Sequence, residues 1–147
     1  MSTTVEFHIL ASSDLSALDR YVCALLGEWV AGGQTVCVVT DDLACGERVD
    51  TALWTFSEQS FIAHEIATTA DAKIGPPPLP PVLITIGRTF AADILVNLGT
   101  SAPAGVESFT RVVECIDADP TRRDAGRRRF VVYRDRGFPP ETLKVGS

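Results

Sequence analysis

Apolar positions along the chain fall into two patterns: short blocks rich in β-branched residues, and longer stretches in which they recur every three to four positions. Residues 4–10 (TVEFHIL) alternate weakly and predict a first strand. Ser13 or Asp14 can then cap a helix with the stripe Leu15, Leu18, Val22, Leu25, Leu26 and Trp29, ending at Gly32-Gly33. Residues 35–40 (TVCVVT) are almost wholly apolar, the pattern of a strand covered on both faces in a parallel sheet. Asp41 and Asp42 offer another cap, and Leu43, Val49, Leu53 and Phe56 stripe a second helix to about residue 56. The stretch 67–81 (ATTADAKIGPPPLPP) has five prolines in six positions, cannot supply the donors of a helix or central strand, and reads as an exposed loop. Residues 82–86, 94–98 and 110–116 predict three further strands. Asp119-Pro120 opens a last helix that runs to about Arg136, where Gly137 and Pro139-Pro140 stop it. The order predicts one α/β domain over residues 1–147: an open, Rossmann-like, mostly parallel sheet flanked by helices.

Composition agrees. A chain of 147 residues, 46% hydrophobic and 22% charged, matches one packed domain and lies far from the composition of disordered chains. No run approaches the roughly 20 apolar residues of a membrane helix, and the start MSTTVEF lacks the regions of a signal peptide, so a cytoplasmic location without membrane contact is expected. Cys23, Cys37, Cys45 and Cys115 form no CxxC pair and only His8 and His64 could join them, so buried free thiols are expected, with no metal and no cofactor.

The glycines that let phosphates approach helix amides are missing. The first turn reads Ala11-Ser12-Ser13-Asp14; there is no GxGxxG and no GxxxxGK[ST], and Gly32-Gly33 follows a helix instead of preceding one. No GxSxG elbow occurs, and His64 has no nucleophile in a motif beside it. The expectation is a non-catalytic protein with no nucleotide site.

Charge changes the picture more than composition. The net charge is −6, but residues 122–147 hold eight of the thirteen basic residues against three acids, leaving that segment at +5 and the other 121 residues at −11. At about 100° per residue, Arg123, Arg127, Phe130 and Arg134 fall within about 60° on one face of the last helix. Three guanidinium groups around an aromatic ring, with Ile116 nearby, suit a peptide that ends in acidic and aromatic residues. The alternative is a solvated basic face with Phe130 tucked into the core. A second constellation is Leu53-Trp54 with Ser60-Phe61-Ile62-Ala63-His64; Trp54 lies about 140° from Val49 on the helix and is either an interface anchor or an edge aromatic covering the core.

These residues, taken with Asp50-Thr51-Ala52, Pro81-Val82-Leu83-Ile84, Ala92-Asp93-Ile94-Leu95-Val96-Asn97-Leu98, Arg111-Val112-Val113-Glu114 and Tyr133-Arg134-Asp135-Arg136-Gly137-Phe138, resemble the chi subunit of bacterial DNA polymerase III in order, spacing and length. The resemblance covers nearly the whole chain, including Phe7-His8-Ile9-Leu10, and is weakest in the proline loop. It implies a non-catalytic accessory protein of the replisome, with an open α/β fold lacking a nucleotide site. It also implies binding to the acidic C-terminal tail of single-stranded-DNA-binding protein and, in some bacteria, to the psi subunit that leads to the clamp loader. Carried over by position, the tail site is Ile116, Arg123, Arg127, Phe130 and Arg134, and the psi-facing surface is Trp54, Phe61, Ile62 and His64. Two departures stand out: Val131 occupies a position that is basic in some relatives, and Ala63 replaces a proline common in the family. The competing function is direct binding of single-stranded nucleic acid by the basic helix. It is disfavoured because only Phe130 and Tyr133 supply aromatic platforms there and the rest of the chain repels phosphate.

Overall fold

The computed structural model describes residues 3–56, 64–67 and 80–145. Its elements in chain order are β1 (Thr4–Leu10), α1 (Leu15–Ala31), β2 (Val36–Thr40), α2 (Leu43–Phe56), β3 (His64–Ala67), β4 (Val82–Ile86), β5 (Ile94–Asn97), β6 (Arg111–Ile116), α3 (Pro120–Asp135) and β7 (Glu141–Val145), with a 3-10 turn at Val106–Ser108. The strands form one sheet in the order β3-β4-β2-β5-β6-β1-β7, and every pairing is parallel. The open α/β architecture expected from the pattern is therefore present, with strand ends within about a residue of the expected ones.

Period-two alternation sorts the side chains onto two faces. Val36 and Val38 of β2, Val113 and Cys115 of β6 and Leu10 of β1 pack beneath α1 and α2, where Leu18, Val22, Leu26, Trp29, Val49 and Leu53 are buried. Cys37 and Val39, Val112 and Ile116, and Val5 and Phe7 face the other way, where Tyr133 of α3 and the loop residues Val106 and Phe109 cover them. All five residues of β2 are buried, as its apolar run requires of a strand with neighbours on both sides.

The helix ends follow the sequence chemistry. Asp14 caps α1 by accepting from the Ser16 amide at 3.0 Å, Asp42 accepts from the Cys45 amide at 2.8 Å at the start of α2, and Asp119 accepts from the Arg122 amide at 3.0 Å. At the end of α3, Gly137 adopts φ 90°, so its amide reaches Arg134 O and that of Phe138 reaches Tyr133 O, a Schellman closure. That reversal carries the chain back beside β1, where Thr142 pairs with Phe7 and Lys144 with Ile9.

Two strands were not expected. β3 includes Ala67, which the pattern placed in the loop, and β7 follows Pro139-Pro140, where only a helix stop was read. Both are edge strands whose sequences, HEIA and ETLKV, lack the apolar block that marks the equally short β2, β4 and β5. Leu43, assigned to the buried stripe of α2, is instead 46% exposed, because it opens the helix before the packed face begins. Residues 68–79 of the expected proline loop lie outside the described residues.

Candidate functional site

The last helix packs over β6 and β1 and stops short of β7, leaving a groove of about 460 Å³. Phe7 and Ile9 of β1 and Ile116 at the end of β6 line its floor; Arg123, Arg127, Phe130 and Val131 line the helix side, and Thr142 lines the strand side. The close approach of α3 to the floor depends on Gly126: a Cβ there would lie 2.3 Å from Cδ1 of Ile116. The Phe130 ring stands edge-on to Phe7 with centroids 5.2 Å apart, and Phe7 in turn meets Tyr133 at 5.9 Å. Phe130 thus packs against the core and still forms part of an accessible apolar surface.

Four of the five residues expected at the tail site, Ile116, Arg123, Arg127 and Phe130, converge on this groove. Arg134 does not line it. Its Nε lies 3.5 Å from the Asp135 carboxylate, and both side chains are exposed. Ile116 is itself 3% exposed and contributes floor, not rim.

The charge of the helix is less free than the count of arginines suggests. Arg129 is buried, and its Nε donates to Glu114 at 2.9 Å; Glu114, fully buried, also accepts from Tyr133 Oη and from Asn97 Nδ2, each at 2.7 Å. Burial pushes the Glu114 carboxyl above the ordinary range, against the pull of Arg129, Asn97 and Tyr133. Arg122 forks onto the buried Asp117 with contacts of 2.9 and 2.6 Å. These acids come from β6 and the turn after it, outside the +5 segment, so two of its cations serve to anchor α3 to the sheet. Arg127 is exposed and, among the described residues, pairs with the also exposed Asp124, at 3.0 Å, a contact of little strength in water.

Arg123 is different. Among the described residues its Nε is buried without a hydrogen-bond partner, and Nη2 reaches the Leu10 carbonyl at 3.5 Å. A buried donor left unmade costs about 1–3 kcal/mol, a penalty that the free protein carries.

The strand residues of the groove were missed in the sequence. Phe7 and Ile9 were read only as part of a first strand, although every second residue of a covered strand points to the same face. Thr142 had no signal, because β7 (ETLKV) is short and polar. Gly126 carries no local signal, because its close approach is to Ile116 on another element.

The second constellation is only partly visible. Trp54 is 58% exposed on α2, in contrast to Val49 and Leu53 of the same helix, which are buried. Phe61 and Ile62 lie outside the described residues, and so does the side chain of His64, whose backbone begins β3. Among the described residues, no group of three or more His, Cys, Asp or Glu side chains is placed to hold a metal, and no helix is long and apolar enough to cross a membrane. Cys23, Cys37 and Cys115 are buried free thiols, and burial pushes Cys23 up to about 11; Cys45 is a half-buried free thiol.

Comparison with known proteins gives this groove a context. Residues 1–141 match the family model described as DNA polymerase III chi subunit, HolC. The chain is 33% identical over 139 residues, 93% of each chain, to DNA polymerase III subunit chi of Pseudomonas aeruginosa. It is 31% identical over 124 residues to DNA polymerase III subunit chi of Escherichia coli, covering 84% of this chain and 83% of that one. A third relative of the same description, from Haemophilus influenzae, is 23% identical over 146 residues, 99% of this chain and all of the other. A match that spans α3 and the strands β1 and β6 beneath it leaves one conclusion: the chain belongs to the family of DNA polymerase III chi subunits.

Proposed function

We propose that this chi-family chain tethers single-stranded-DNA-binding protein to the replication machinery, by holding that protein's acidic C-terminal tail in the groove beside α3 and joining the clamp loader through a second surface around Trp54. The observation that carries the proposal is the groove itself: an apolar floor of Phe7, Ile9 and Ile116, an aromatic wall in Phe130, and the guanidinium groups of Arg123 and Arg127 along one side. An aromatic terminal residue suits the floor, and carboxylates suit the cations, so one short peptide meets both demands. A DNA strand would demand a longer cationic track, and much of the charge on α3 is already paired with Glu114 and Asp117. The surface around Trp54 suits the psi subunit or another clamp-loader component; an exposed tryptophan is a strong anchor for a protein partner.

The test is fluorescence anisotropy with a labelled tail peptide, a scrambled peptide and a single-stranded oligonucleotide. Wild type should bind the tail peptide alone, and Arg127→Ala should weaken it about tenfold, as expected when a charge-assisted hydrogen bond of roughly 1.5–3 kcal/mol is removed. Equal binding of scrambled and native peptides, or tighter binding of the oligonucleotide, would reject the tail site. For the second surface, Trp54→Ala should leave the melting temperature almost unchanged and reduce capture of clamp-loader subunits; unreduced capture would reject that assignment.

A further inference from the structure

The groove has a second bank that nothing so far accounts for. β7 is an edge strand whose only partner is β1, and parallel register sets Thr142 beside Phe7 and Lys144 beside Ile9. Neighbouring residues in register project to the same face of a sheet, so Thr142 and Lys144 stand on the same side as Phe7 and Ile9, the side on which α3 packs. Beyond the groove lies an adjoining depression of about 450 Å³, lined by residues that include Ile9, Ala118, Arg123 and Lys144. Ile9 and Arg123 line both hollows, which therefore adjoin at these two residues. Lys144 is exposed, and it forms no ion pair among the described residues.

We infer that Lys144, together with Arg123, forms a seat for the terminal carboxylate of an acidic peptide whose last side chain is aromatic and lies on the floor of the groove. The inference rests on the tail-binding reading above and adds to it a residue on the C-terminal strand and a direction for the peptide. The apolar floor and the adjoining depression share Arg123, whose Nε is the one buried side-chain donor without an acceptor among the described residues. A terminal carboxylate is attached to the same Cα as the last side chain, so a ring on Ile9 and Ile116 brings the carboxylate close to the boundary that the two hollows share at Ile9 and Arg123. There the cations face it from the two banks: Arg123 from α3 and Lys144 from β7. A carboxylate has two oxygens, enough for the fixed guanidinium fork and the flexible ammonium at once. An acidic residue earlier in the peptide then runs along α3 toward Arg127, at the other end of the groove lining.

The test is a double-mutant cycle by anisotropy on the full chain. A labelled acidic peptide with a C-terminal phenylalanine, and the same peptide with that carboxyl amidated, are titrated against wild type, Lys144→Ala and Lys144→Arg. Lys144 is exposed, so circular dichroism should show all three equally folded. Lys144→Ala is expected to weaken the free-acid peptide about two- to fivefold, the size of a partly exposed ion pair, while Lys144→Arg keeps most of the affinity. Amidation should weaken binding to wild type by more than it weakens binding to Lys144→Ala, because the ammonium and the carboxylate are each other's partners. If wild type binds but Lys144→Ala binds equally well, or amidation acts equally on both, the assignment of Lys144 is overturned and the tail site stands. If wild type binds neither peptide, the tail site falls and this assignment with it.

Discussion

Gly126 of α3 and Ile116 of β6 are in such close register that a single methyl group on the glycine would lie 2.3 Å from the isoleucine Cδ1 and 3.3 Å from its Cγ1. The helix rests on the sheet at this point because the side chain is absent. Gly126→Ala therefore sets two effects against each other. Alanine is favoured in a helix interior by about 1 kcal/mol, while turning the buried Ile116 out of its rotamer costs about 0.5–1.5 kcal/mol. Stability should change by less than about 1 kcal/mol, but the end of Ile116 must move, and Ile116 is part of the groove floor. The expected result is an almost unaltered urea midpoint with clearly weaker tail-peptide binding; unchanged binding would show that the floor at Ile116 does not contact the peptide.

Removing Arg129 has the opposite signature. Glu114 is fully buried, and one of its oxygens is held by Arg129 Nε at 2.9 Å, the other by Tyr133 and Asn97. Arg129→Met fills much of the same volume but strands a buried carboxyl, and breaking such a pair typically destabilises by about 3–5 kcal/mol. Urea denaturation should show a loss of that size. Replacing the exposed Arg127 should not, because its pair with Asp124 is in open solvent. Arginines two residues apart on one helix thus differ in what they do for the fold: Arg129 fixes the helix to the sheet, and Arg127 stands in solvent.

That contrast also marks how far the sequence could be read. The β-α-β start, the capping aspartates at positions 14, 42 and 119 and the apolar run of β2 all carry local signals, and each predicted element is present. Helical spacing also placed Arg123, Arg127 and Phe130 together correctly, since angles on one helix follow from position alone. It also placed Arg134 with them, which does not line the groove. What lay hidden depended on partners distant in the chain. That Arg129 is neutralised follows from Glu114 on another element, and the second bank of the groove follows from β7 returning to β1, neither of which has a local signature. Trp54 shows the same limit: its angle on α2 placed it at the stripe's edge, and only the packing of neighbouring elements decides that it is exposed.

Acid should loosen the fold partly through Glu6. Arg111 forks onto its carboxylate at 2.7 and 2.8 Å, and His8 Nε2 lies 3.0 Å away. Burial works to raise the Glu6 pKa, but the hydrogen bonds and charges of Arg111 and His8 outweigh it and hold the carboxyl below the usual glutamate range. A carboxyl lowered in the folded state contributes stability that is present above its unfolded pKa and is lost as pH falls through the folded one. Chemical denaturation of wild type should therefore show stability falling from just above pH 4.5 downward. In Glu6→Gln the starting stability should be lower and this part of the slope reduced. Glu114, raised by burial, contributes with the opposite sign and weakens the fold as pH rises through its folded value, so the slope assigned to Glu6 is the difference between wild type and Glu6→Gln, not the whole acid limb. Identical slopes in the two proteins would exclude Glu6 as a source of the acid sensitivity.

The sheet and helices have the architecture in which other chains bind nucleotides, yet the ends that would receive phosphate are already occupied. In a dinucleotide-binding fold the free amides at the start of the first helix face the pyrophosphate across a glycine turn. Here the turn is Ala11-Ser12-Ser13-Asp14, and the Asp14 carboxylate accepts from the Ser16 amide at 3.0 Å. Asp42 and Asp119 do the same at the starts of α2 and α3. A phosphate approaching any of the three would displace a carboxylate from its amide and then lie beside that negative charge, so the attraction of the helix dipole is cancelled where it would be needed. Titration calorimetry with ATP and magnesium should show no saturable binding at micromolar affinity, and the protein should not hydrolyse the nucleotide. Asp14→Gly removes one carboxylate and frees an amide, but the side chains that would hold the phosphates remain missing from the turn, so that variant should lose helix stability without gaining affinity for ATP. Micromolar binding by wild type would show that a phosphate site exists away from the helix starts and that the adaptor reading of the fold is incomplete.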